Sequence, residues 1–400
     1  MKRSATLKSL LVLTASVMLW GCSNNPSSVV DKATTQTSDL VTMESGTIIP
    51  GQYVIVLKEA GALKSNSSAN YDQATAYAKS KAVTIMNDNG ISSGKIKLAY
   101  GTALMGFSAN LTDQEVAVLR ADKRVSYIEA DRMFSIKIAA KPIPVTPVQS
   151  VPYGIARVGH ASGIGKTAWI IDTGIDFDHP DLTVDIIRQK TFIDRTLTAD
   201  DDNGHGTHCA GTVAAIDNAI GVIGVAAGAT VVPVKVLDHR GSGAYSVVIA
   251  GVDYVASAGE AGNSANMSLS GPVYQALDDA VLAASNKGIF FALAAGNSSD
   301  DASNYSPARV NGPYVWTISA MDINDNWAYF SCYGNPPVDY CEPGISILSC
   351  WNDGFYNTIS GTSMASPHMC GILLITGGHP VTSGYVNGDP DGNPDPIGHI

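Results

Sequence analysis

Five apolar, strand-like runs recur along the chain beyond residue 150, and stretches with helical character separate them. Strands that are apolar on both faces belong to parallel sheets, because helices cover such a sheet on either side. The sequence therefore predicts an α/β domain over residues 152–376, in which polar side chains that follow the strands meet at one edge of the sheet. The predicted strands are residues 167–171, 230–237, 264–269, 289–294 and 315–320.

A smaller domain is predicted ahead of it, over residues 47–138. Its strand-like and helix-like stretches follow the order β-α-β-β-α-β, which describes a split-βαβ, ferredoxin-like α+β domain. Thr112 and Glu115 have the spacing of a capping box, which marks the start of the second helix. Five of these six elements can be located in the sequence: strands at residues 51–58, 101–109 and 125–131, and helices at residues 71–87 and 112–120.

The first residues have the features of an export signal. Basic residues precede an apolar run at residues 10–20, which is too short to span a bilayer. Residues 1–21 are therefore a predicted signal peptide. The apolar run ends just before Cys22, which resembles a bacterial lipobox. That resemblance implies acylation of Cys22 and a lipid anchor to a bacterial membrane. Trp20 is unusual in that box, so secretion without acylation stays open. Residues 22–46 are rich in Ser, Thr and Asn and predict a flexible spacer.

Charge and composition narrow the class of partner. The formal net charge of −11 argues against a nucleic-acid partner and against electrostatic binding to anionic membranes.

Three prolines within residues 139–151 favour an extended, exposed linker that a protease could cut. Residues 377–400 are predicted to be loop-like.

Five cysteines remain beyond Cys22, so at least one thiol is unpaired. Cys332 and Cys341 flank a short Gly/Pro-containing loop and form the predicted disulfide; a bond between Cys350 and Cys370 stays undecided. The Cys and His spacings do not resemble a zinc site, and a catalytic metal is not predicted.

Three separated segments contain an acid, a base and a hydroxyl in the order Asp172, His205, Ser363. Nucleophilic acyl transfer needs a hydroxyl, an imidazole that takes its proton, and a carboxylate that orients the imidazole. Ser363 lies where small residues precede a long apolar run, which marks a helix N-terminus. Pro367 is expected in the first turn of that helix. The competing residues are His208 for the base and, for the acid, Asp176, Asp178 and Asp181.

The segments "DTG", "NGHGTH" and "GTSMASPH", in that order, resemble the subtilisin-like serine proteases, most closely the proteinase K branch. Within residues 47–138, "YVIVLK", "GFSANLTDQEVAVLR" and "VSYIEAD" resemble the propeptide of that family. The resemblance implies an exported serine endopeptidase that cleaves polypeptides and is made as a self-processed zymogen. Its own propeptide would then act as an intramolecular inhibitor.

The resemblance also implies residue roles. Ser363 would be the nucleophile, His205 the general base and Asp172 the residue that orients it. Asn297, in "AAGN", and the Ser363 N–H would form the oxyanion hole. Two segments would hold the substrate: Ser268, Leu269, Ser270 and Gly271 on one side, and Ala294, Ala295 and Gly296 on the other. Ser270 stands where the family usually has Gly, and Cys209 matches a free thiol of proteinase K relatives.

A structural Ca²⁺ ion is implied in the same way. Asp339 matches the carboxylate ligand of proteinase K relatives, and Pro313 and Val315 match positions that supply backbone carbonyls; such oxygen ligands suit Ca²⁺. The acidic segment at residues 389–395 has alternating ligands like an EF-hand loop, but Pro394 replaces the turn glycine, and we do not predict a site there.

The chain departs from the family after Ser363, where 37 residues remain and the usual closing strands and helices are missing or replaced. Two alternatives therefore stay open: a catalytically inactive binding protein, and a processing protease with few substrates. The sequence does not indicate an oligomeric state.

Overall fold

The smaller domain has the predicted β-α-β-β-α-β order. The computed structural model describes residues 44–58, 70–136 and 148–400. The predicted capping box is present, since Thr112 Oγ1 accepts the Glu115 N–H and the Glu115 carboxylate accepts the Thr112 N–H. The elements are β1 (Ile48–Leu57), α1 (Tyr71–Asp88), β2 (Ile96–Tyr100), β3 (Gly106–Asn110), α2 (Asp113–Ala121) and β4 (Val125–Ser135).

The strand predicted at residues 101–109 is instead a loop followed by β3. The backbone N–H groups of Gly101, Thr102 and Ala103 do not join the sheet ladder, because they donate to the carboxylate of Asp253 in the larger domain. This contact between the two domains could not be inferred from local sequence.

Strands and helices alternate along the larger domain, as the apolar runs predict. The helices are α3 (Tyr153–Val158), α4 (His205–Ala214), α5 (Tyr245–Ala258), α6 (Gln275–Ser285) and α7 (Thr362–Thr376). The strands are β5 (Ala161–Ser162), β6 (Thr167–Asp172), β7 (Thr183–Val184), β8 (Lys190–Thr191), β9 (Ala226–Ala227), β10 (Thr230–Lys235), β11 (Ser242–Ala244), β12 (Ser264–Met267), β13 (Gly271–Pro272), β14 (Phe290–Ala294), β15 (Tyr305–Ser306), β16 (Val315–Met321), β17 (Val338–Pro343), β18 (Ile347–Trp351), β19 (Phe355–Ile359), β20 (Val381–Tyr385) and β21 (Pro396–His399).

The described residues form a ten-stranded sheet in the order β20-β21-β17-β16-β14-β12-β6-β10-β7, with β8 also paired to β10. All pairs are parallel except β20 with β21. Helices cover both faces: Ala168 and Ile170 of β6 pack in the cluster that contains α4 and α7, whereas Trp169 and Ile171 pack in the cluster with α5 and α6. In sequence, β10 is added on one side of β6 and β12 is added later on its other side. The order of strands therefore reverses at β6, and ligands of α/β sheets bind at such switch points.

The tail predicted as a loop is a hairpin, so that prediction is wrong. β20 and β21 pair antiparallel, and β21 adds to the edge of the main sheet beside β17, with Ile397 opposite Cys341. Ile397 is buried together with Met321, Cys341 and Val386. The hairpin thus covers the edge strand β17, and the tail's many turn residues hid its two short strands.

The predicted disulfide between Cys332 and Cys341 is also wrong. All five cysteines of the described residues are free and buried. Cys332 packs against Ala295 and Val338, whereas Cys341 belongs to the separate cluster beneath the tail hairpin. The two thiols are therefore close in the sequence but not in the folded chain.

The predicted signal peptide, Cys22 and most of the spacer lie outside the described residues, as do residues 137–138 of the predicted propeptide and residues 139–147 of the linker. Among the residues that the structure describes, no helix has the length and apolar character needed to cross a membrane.

Candidate active site

Asp172 and His205 are hydrogen-bonded at the carboxyl end of β6. Asp172 is the last residue of β6 and is buried, and His205 is the first residue of α4. Nδ1 of His205 lies 2.8 and 2.9 Å from the two carboxylate oxygens of Asp172. Because a carboxylate only accepts hydrogen bonds, Nδ1 carries the proton, and Nε2 of the neutral ring is the basic nitrogen.

One glycine, Gly206, allows the loops that carry the acid and the imidazole to approach this closely. A Cβ atom on Gly206 would lie 2.0 Å from the carbonyl oxygen of Gly174 and 3.2 Å from Cβ of Asp172. The Gly206 N–H donates to Thr173 Oγ1 at 2.9 Å, which ties the two loops together. A side chain at position 206 would therefore separate Asp172 from His205.

The competing residues have other partners. His208 is fully buried, its Nε2 lies 3.0 Å from the Ile347 carbonyl oxygen, and burial lowers its pKa to about 3. Asp176 accepts the Gly354 N–H, and Asp181 accepts the Val222 N–H. Asp178 donates its N–H to Asp176. The structure therefore brings Asp172, rather than these carboxylates, onto His205.

Ser363 is the second residue of α7 and lies at the mouth of the same site. It lines a cavity of about 680 Å³ together with His205, Ser268 and Asn297. Its hydroxyl donates to the Ser268 carbonyl at 3.1 Å. The N–H groups in the first turn of a helix have no partner within the helix, so they can donate to a negatively charged group, which the helix dipole also favours.

Pro367 is the sixth residue of α7, so the prediction that it lies in the first turn is wrong. Proline has no N–H, so Pro367 cannot donate to the Ser363 carbonyl four residues earlier. That carbonyl instead accepts the Ser268 hydroxyl at 2.7 Å and the Cys209 thiol at 3.5 Å. The proline thus frees the Ser363 carbonyl to tie α7 to α4 and to the end of β12.

Asn297 follows β14 and is exposed at the cavity. Its Oδ1 accepts both the backbone N–H and the hydroxyl of Thr362, at 2.9 and 3.1 Å. Because both donors point at Oδ1, the orientation of the amide is fixed, and the NH₂ group remains as a donor beside Ser363.

The predicted substrate segments form walls of the cavity. Ser268 and Ser270 line it, whereas Leu269, Ala294 and Ala295 are buried behind it. Gly271 begins β13, which pairs with β15. A Cβ atom on Gly296 would lie 2.7 Å from Ser270 Oγ, and this hydroxyl is buried without a hydrogen-bond partner in the described structure. Ser270 therefore packs against Gly296 and takes space that a glycine would leave.

Sequence reasoning missed β11, the strand that pairs with the end of β4 beside the cavity. The end of β4 adds to it as an antiparallel strand, with Ser135 opposite Ser242 and Phe134 opposite Gly243. Ile136 continues the pairing through its N–H, which donates to the Gly241 carbonyl at 2.9 Å. The available signal was the Gly-Ser-Gly run before a helix, which has too little side chain to form a core strand.

The last residues of β4 thus lie in the cavity. Ser135 and Ile136 line it together with His205 and Ser363. Phe134 is fully buried against Tyr245, with ring centroids 5.2 Å apart. An extended segment added to a sheet edge is the arrangement by which many proteins bind peptides.

Three carboxylates join the smaller domain to the larger one. Glu129 accepts the N–H groups of Gln275 and Ala276 at the start of α6, and Asp131 accepts the Ser246 N–H in the first turn of α5. Asp253 of α5 accepts three N–H groups of the loop after β2. Burial raises the pKa of all three carboxyls, that of Asp253 to about 6.

Within the described residues, one group of three Asp, Glu, His or Cys side chains converges closely enough to hold a metal: Asp172, His205 and Cys209. Asp172 and His205 already bond to each other there, and burial raises the pKa of the Cys209 thiol well above its usual value. This cluster therefore suits proton transfer better than metal binding.

Asp339 lies in β17, next to the strand that begins at Val315. Its carboxylate accepts the Thr317 N–H at 2.9 Å, and burial raises its pKa to about 6. A carboxylate that is desolvated with one N–H as a partner would gain from a cation beside it. The surroundings of Asp339 thus fit the oxygen-ligated ion that the sequence implies.

Comparison with known proteins agrees with this arrangement. Residues 165–379 match the subtilase family, Peptidase S8, and residues 52–137 match the peptidase inhibitor I9 family. An extracellular serine proteinase of Thermus sp. (strain Rt41A) is 38% identical over 92% of this chain and 88% of its own length. The alkaline serine protease ver112 of Corniculantispora psalliotae is 40% identical over 69% of this chain and 72% of its own length.

A crystal structure of a cold adapted subtilisin-like serine proteinase is similar with a TM-score of 0.51 and 40% identity, covering 56% of this chain and 84% of that one. Fold and site together define a serine protease with a parallel sheet and an attached inhibitory domain. The chain belongs to the subtilase family. It is an exported serine endopeptidase that is synthesised as a zymogen with an I9-type propeptide.

Proposed function

We propose that Ser363, His205 and Asp172 carry out peptide hydrolysis through an acyl-enzyme. Ser363 Oγ attacks the peptide carbonyl while Nε2 of His205 takes its proton, and His205 then protonates the leaving amine. A water molecule then attacks the acyl-enzyme in the same way, with His205 taking its proton, and releases the carboxylic acid and free Ser363. Asp172 holds Nδ1–H and stabilises the imidazolium. The observation that carries this proposal is the Asp172–His205 hydrogen bond beside Ser363, in a cavity that already holds a peptide strand of the same chain.

The oxyanion would be stabilised by two donors, the Asn297 NH₂ group and the Ser363 N–H. The bonds from Thr362 to Asn297 Oδ1 support this role, because they orient the amide before substrate arrives. The Ser363 hydroxyl must turn from the Ser268 carbonyl toward His205 before it can attack.

The substrate backbone would lie between β11 and the segment Ser268–Gly271, as the end of β4 does beside β11. The small side chains of Ala294, Ala295 and Gly296 leave room for a sizeable apolar P1 side chain, and Ser270 reduces that room on one wall. We infer broad cleavage of polypeptides, with large aromatic P1 residues disfavoured by Ser270.

Residues 47–138 would be the inhibitory propeptide and residues 139–151 the linker that is cut, which leaves residues 152–376 as the catalytic domain. A structural Ca²⁺ ion would be held by the Asp339 carboxylate with the carbonyls of Pro313 and Val315; it would stabilise the loop before β16 and take no part in the reaction. Acylation of Cys22 would tether the exported chain to a bacterial membrane, and intact mass of the membrane fraction tests it.

The test of the catalytic proposal is self-processing. The exported chain from Cys22 onward is prepared in calcium beside its Ser363→Ala variant, and intact masses are measured. We expect the parent to lose the residues before about Val151 while the variant stays whole. If both stay whole although both are folded, the catalytic assignment is wrong, and the inactive binding protein becomes the better hypothesis.

A further inference from the structure

Lys235 is a buried lysine that contacts both loops of the candidate active site. It is the last residue of β10 and lies opposite Asp172 in the parallel pairing with β6. Its side chain is 1% exposed. Its ammonium donates to the carbonyl of Thr173, directly after Asp172, and to Asp202 Oδ1 at 2.6 Å, three residues before His205. Lysine is almost never fully buried without such partners.

We propose that Lys235 is a positioning residue for peptide hydrolysis. It links the loop after Asp172 to the loop before His205, and it thereby fixes the distance and angle of the hydrogen bond between them. The inference rests on the proposed roles of Asp172 and His205. It assigns to Lys235 no contact with substrate and no transferred proton.

Other contacts hold the same two loops beside Lys235. The Asp172 carbonyl accepts the N–H groups of Val236 and Leu237, so the backbone after β10 holds the acid's own residue. Asp201 accepts the N–H groups of Gly204 and Thr207, so it caps α4. The two loops are also joined directly by the Gly206 N–H bond to Thr173 Oγ1 and the Ile175 N–H bond to the Ala199 carbonyl, and Lys235 adds a charged link between them. A misplacement of about 1 Å in a catalytic pair can reduce the rate about 10²-fold, so such a link affects turnover.

The positive charge of Lys235 also affects the Asp172–His205 pair. The two loops carry many carboxylates: Asp172 on β6, Asp176 and Asp178 after it, and Asp200, Asp201 and Asp202 before α4. His205 and Cys209 on α4, and Asp238, His239 and Arg240 in the turn after β10, are further charged and titratable groups near them. A buried cation within this group attracts the Asp172 carboxylate and repels a protonated His205 ring.

Self-processing of the full exported chain measures this role without a contribution from KM, because cleavage within the molecule is a first-order step. Its rate constant is followed by intact mass from pH 5 to 9 in four chains: the parent, Lys235→Met, Lys235→Arg and Lys166→Met. Lys166 is exposed and provides the matched control. We expect about 10–100-fold slower processing in K235M, recovery of about tenfold in K235R, which keeps the charge, and an unchanged rate in K166M.

The pH profile separates positioning from packing. Without the ammonium, the surrounding carboxylates stabilise the imidazolium, so the acid limb of the rate profile of K235M should move to higher pH. A defect of packing alone would lower the melting temperature and leave that limb in place. A folded K235M with the parent rate, or K235R and K235M equally slow with the parent's pH profile, would overturn the proposal.

Asp202→Ala provides the second test in case K235M does not fold. The Asp202 side chain is 47% exposed, so water can partly replace it and the variant should still fold. Its melting temperature should fall, because the buried Lys235 ammonium loses its carboxylate partner, and processing should slow about threefold to tenfold. A parent-like rate in D202A contradicts the proposed link. Failure of the catalytic proposal is distinguishable, since Ser363→Ala would then process like the parent.

Discussion

Ser268 and Ser363 are joined by hydrogen bonds in both directions. The Ser268 hydroxyl donates to the Ser363 carbonyl at 2.7 Å, and the Ser363 hydroxyl donates to the Ser268 carbonyl at 3.1 Å. The first bond replaces the helical hydrogen bond that Pro367 cannot make. Ser268 therefore fixes the backbone of the proposed nucleophile and holds its hydroxyl until substrate binds.

Ser268→Ala should lower both stability and turnover. The Ser363 carbonyl would keep the long Cys209 contact, and the Asn266 amide would lose its acceptor at 2.9 Å. A buried polar group without a partner costs about 1–3 kcal/mol, so we expect the melting temperature to fall by several degrees and kcat to fall about tenfold.

Ser285→Ala is the matched control for that measurement. Ser285 is also fully buried, and its hydroxyl donates to the Leu282 carbonyl at the end of α6, on the other face of the sheet. It should lose stability with kcat unchanged. Equal kcat values in the two variants would show that the bond from Ser268 to Ser363 does not matter for turnover.

Asn297→Ala should reduce kcat about 10²–10³-fold, the range known for the corresponding loss in a subtilisin, with KM changed less than about threefold. Asn297→Asp separates the donor from the acceptor, because it keeps the oxygen that Thr362 contacts and removes the NH₂ group. We expect N297D to be at least as impaired as N297A. Substantial activity in N297D would mean that Asn297 only orients Thr362.

The elements that carry the proposed triad could be predicted because each is local. A buried strand followed by Asp172 and a glycine-bounded helix start at His205 are settled within a few residues of chain. The same holds for the helix start near Ser363. The choice of Asp172 over Asp176 was indicated by its position at the end of a strand and by the resemblance to a family, and the choice of His205 over His208 by the resemblance.

What could not be predicted depends on contacts between distant segments. The pairing of β4 with β11 and of β21 with β17 joins residues over 50 apart, so local periodicity cannot reveal it. The Cys332–Cys341 prediction failed for the same reason, since the two side chains belong to different clusters. Lys235 carried no signal at all, because its partners lie in two other loops.

Calcium should raise the melting temperature through Asp339. A ligand at 100 times its Kd stabilises the folded state by about 2.7 kcal/mol, which corresponds to several degrees for a domain of this size. The measurement uses the Ser363→Ala chain, which avoids autolysis, in calcium and in chelator. Asp339→Asn should abolish the difference, because it removes the carboxylate.

Asp391→Asn is the matched control, since Asp391 lies in the acidic turn between β20 and β21 and is exposed. It should keep the full response to calcium. If D391N loses the response and D339N keeps it, the tail loop holds the ion and the assignment to Asp339 is wrong.

Propeptide binding should weaken as the pH rises from about 4 to about 6. Burial raises the pKa of Asp253 from 3.8 to about 6 in the zymogen. Release of the propeptide should return this carboxyl to water and its pKa to about 3.8. Between about pH 4 and pH 6 the carboxyl is then protonated in the complex and ionised in the free enzyme. A raised pKa therefore stabilises the complex at low pH, and this contribution is lost as the pH rises through 6. A change from 3.8 to about 6 corresponds to about a 100-fold change in affinity.

The readout is the pH dependence of propeptide release from the processed complex, followed as recovery of peptidase activity between pH 4 and 8. Asp253→Asn removes the titrating group and keeps one acceptor oxygen for the loop after β2, so its profile should be flatter than that of the parent. Some slope should remain, because burial also raises the pKa of Glu129 and Asp131 at the same interface. Superimposable profiles for the parent and D253N would show that ionisation of Asp253 does not control release.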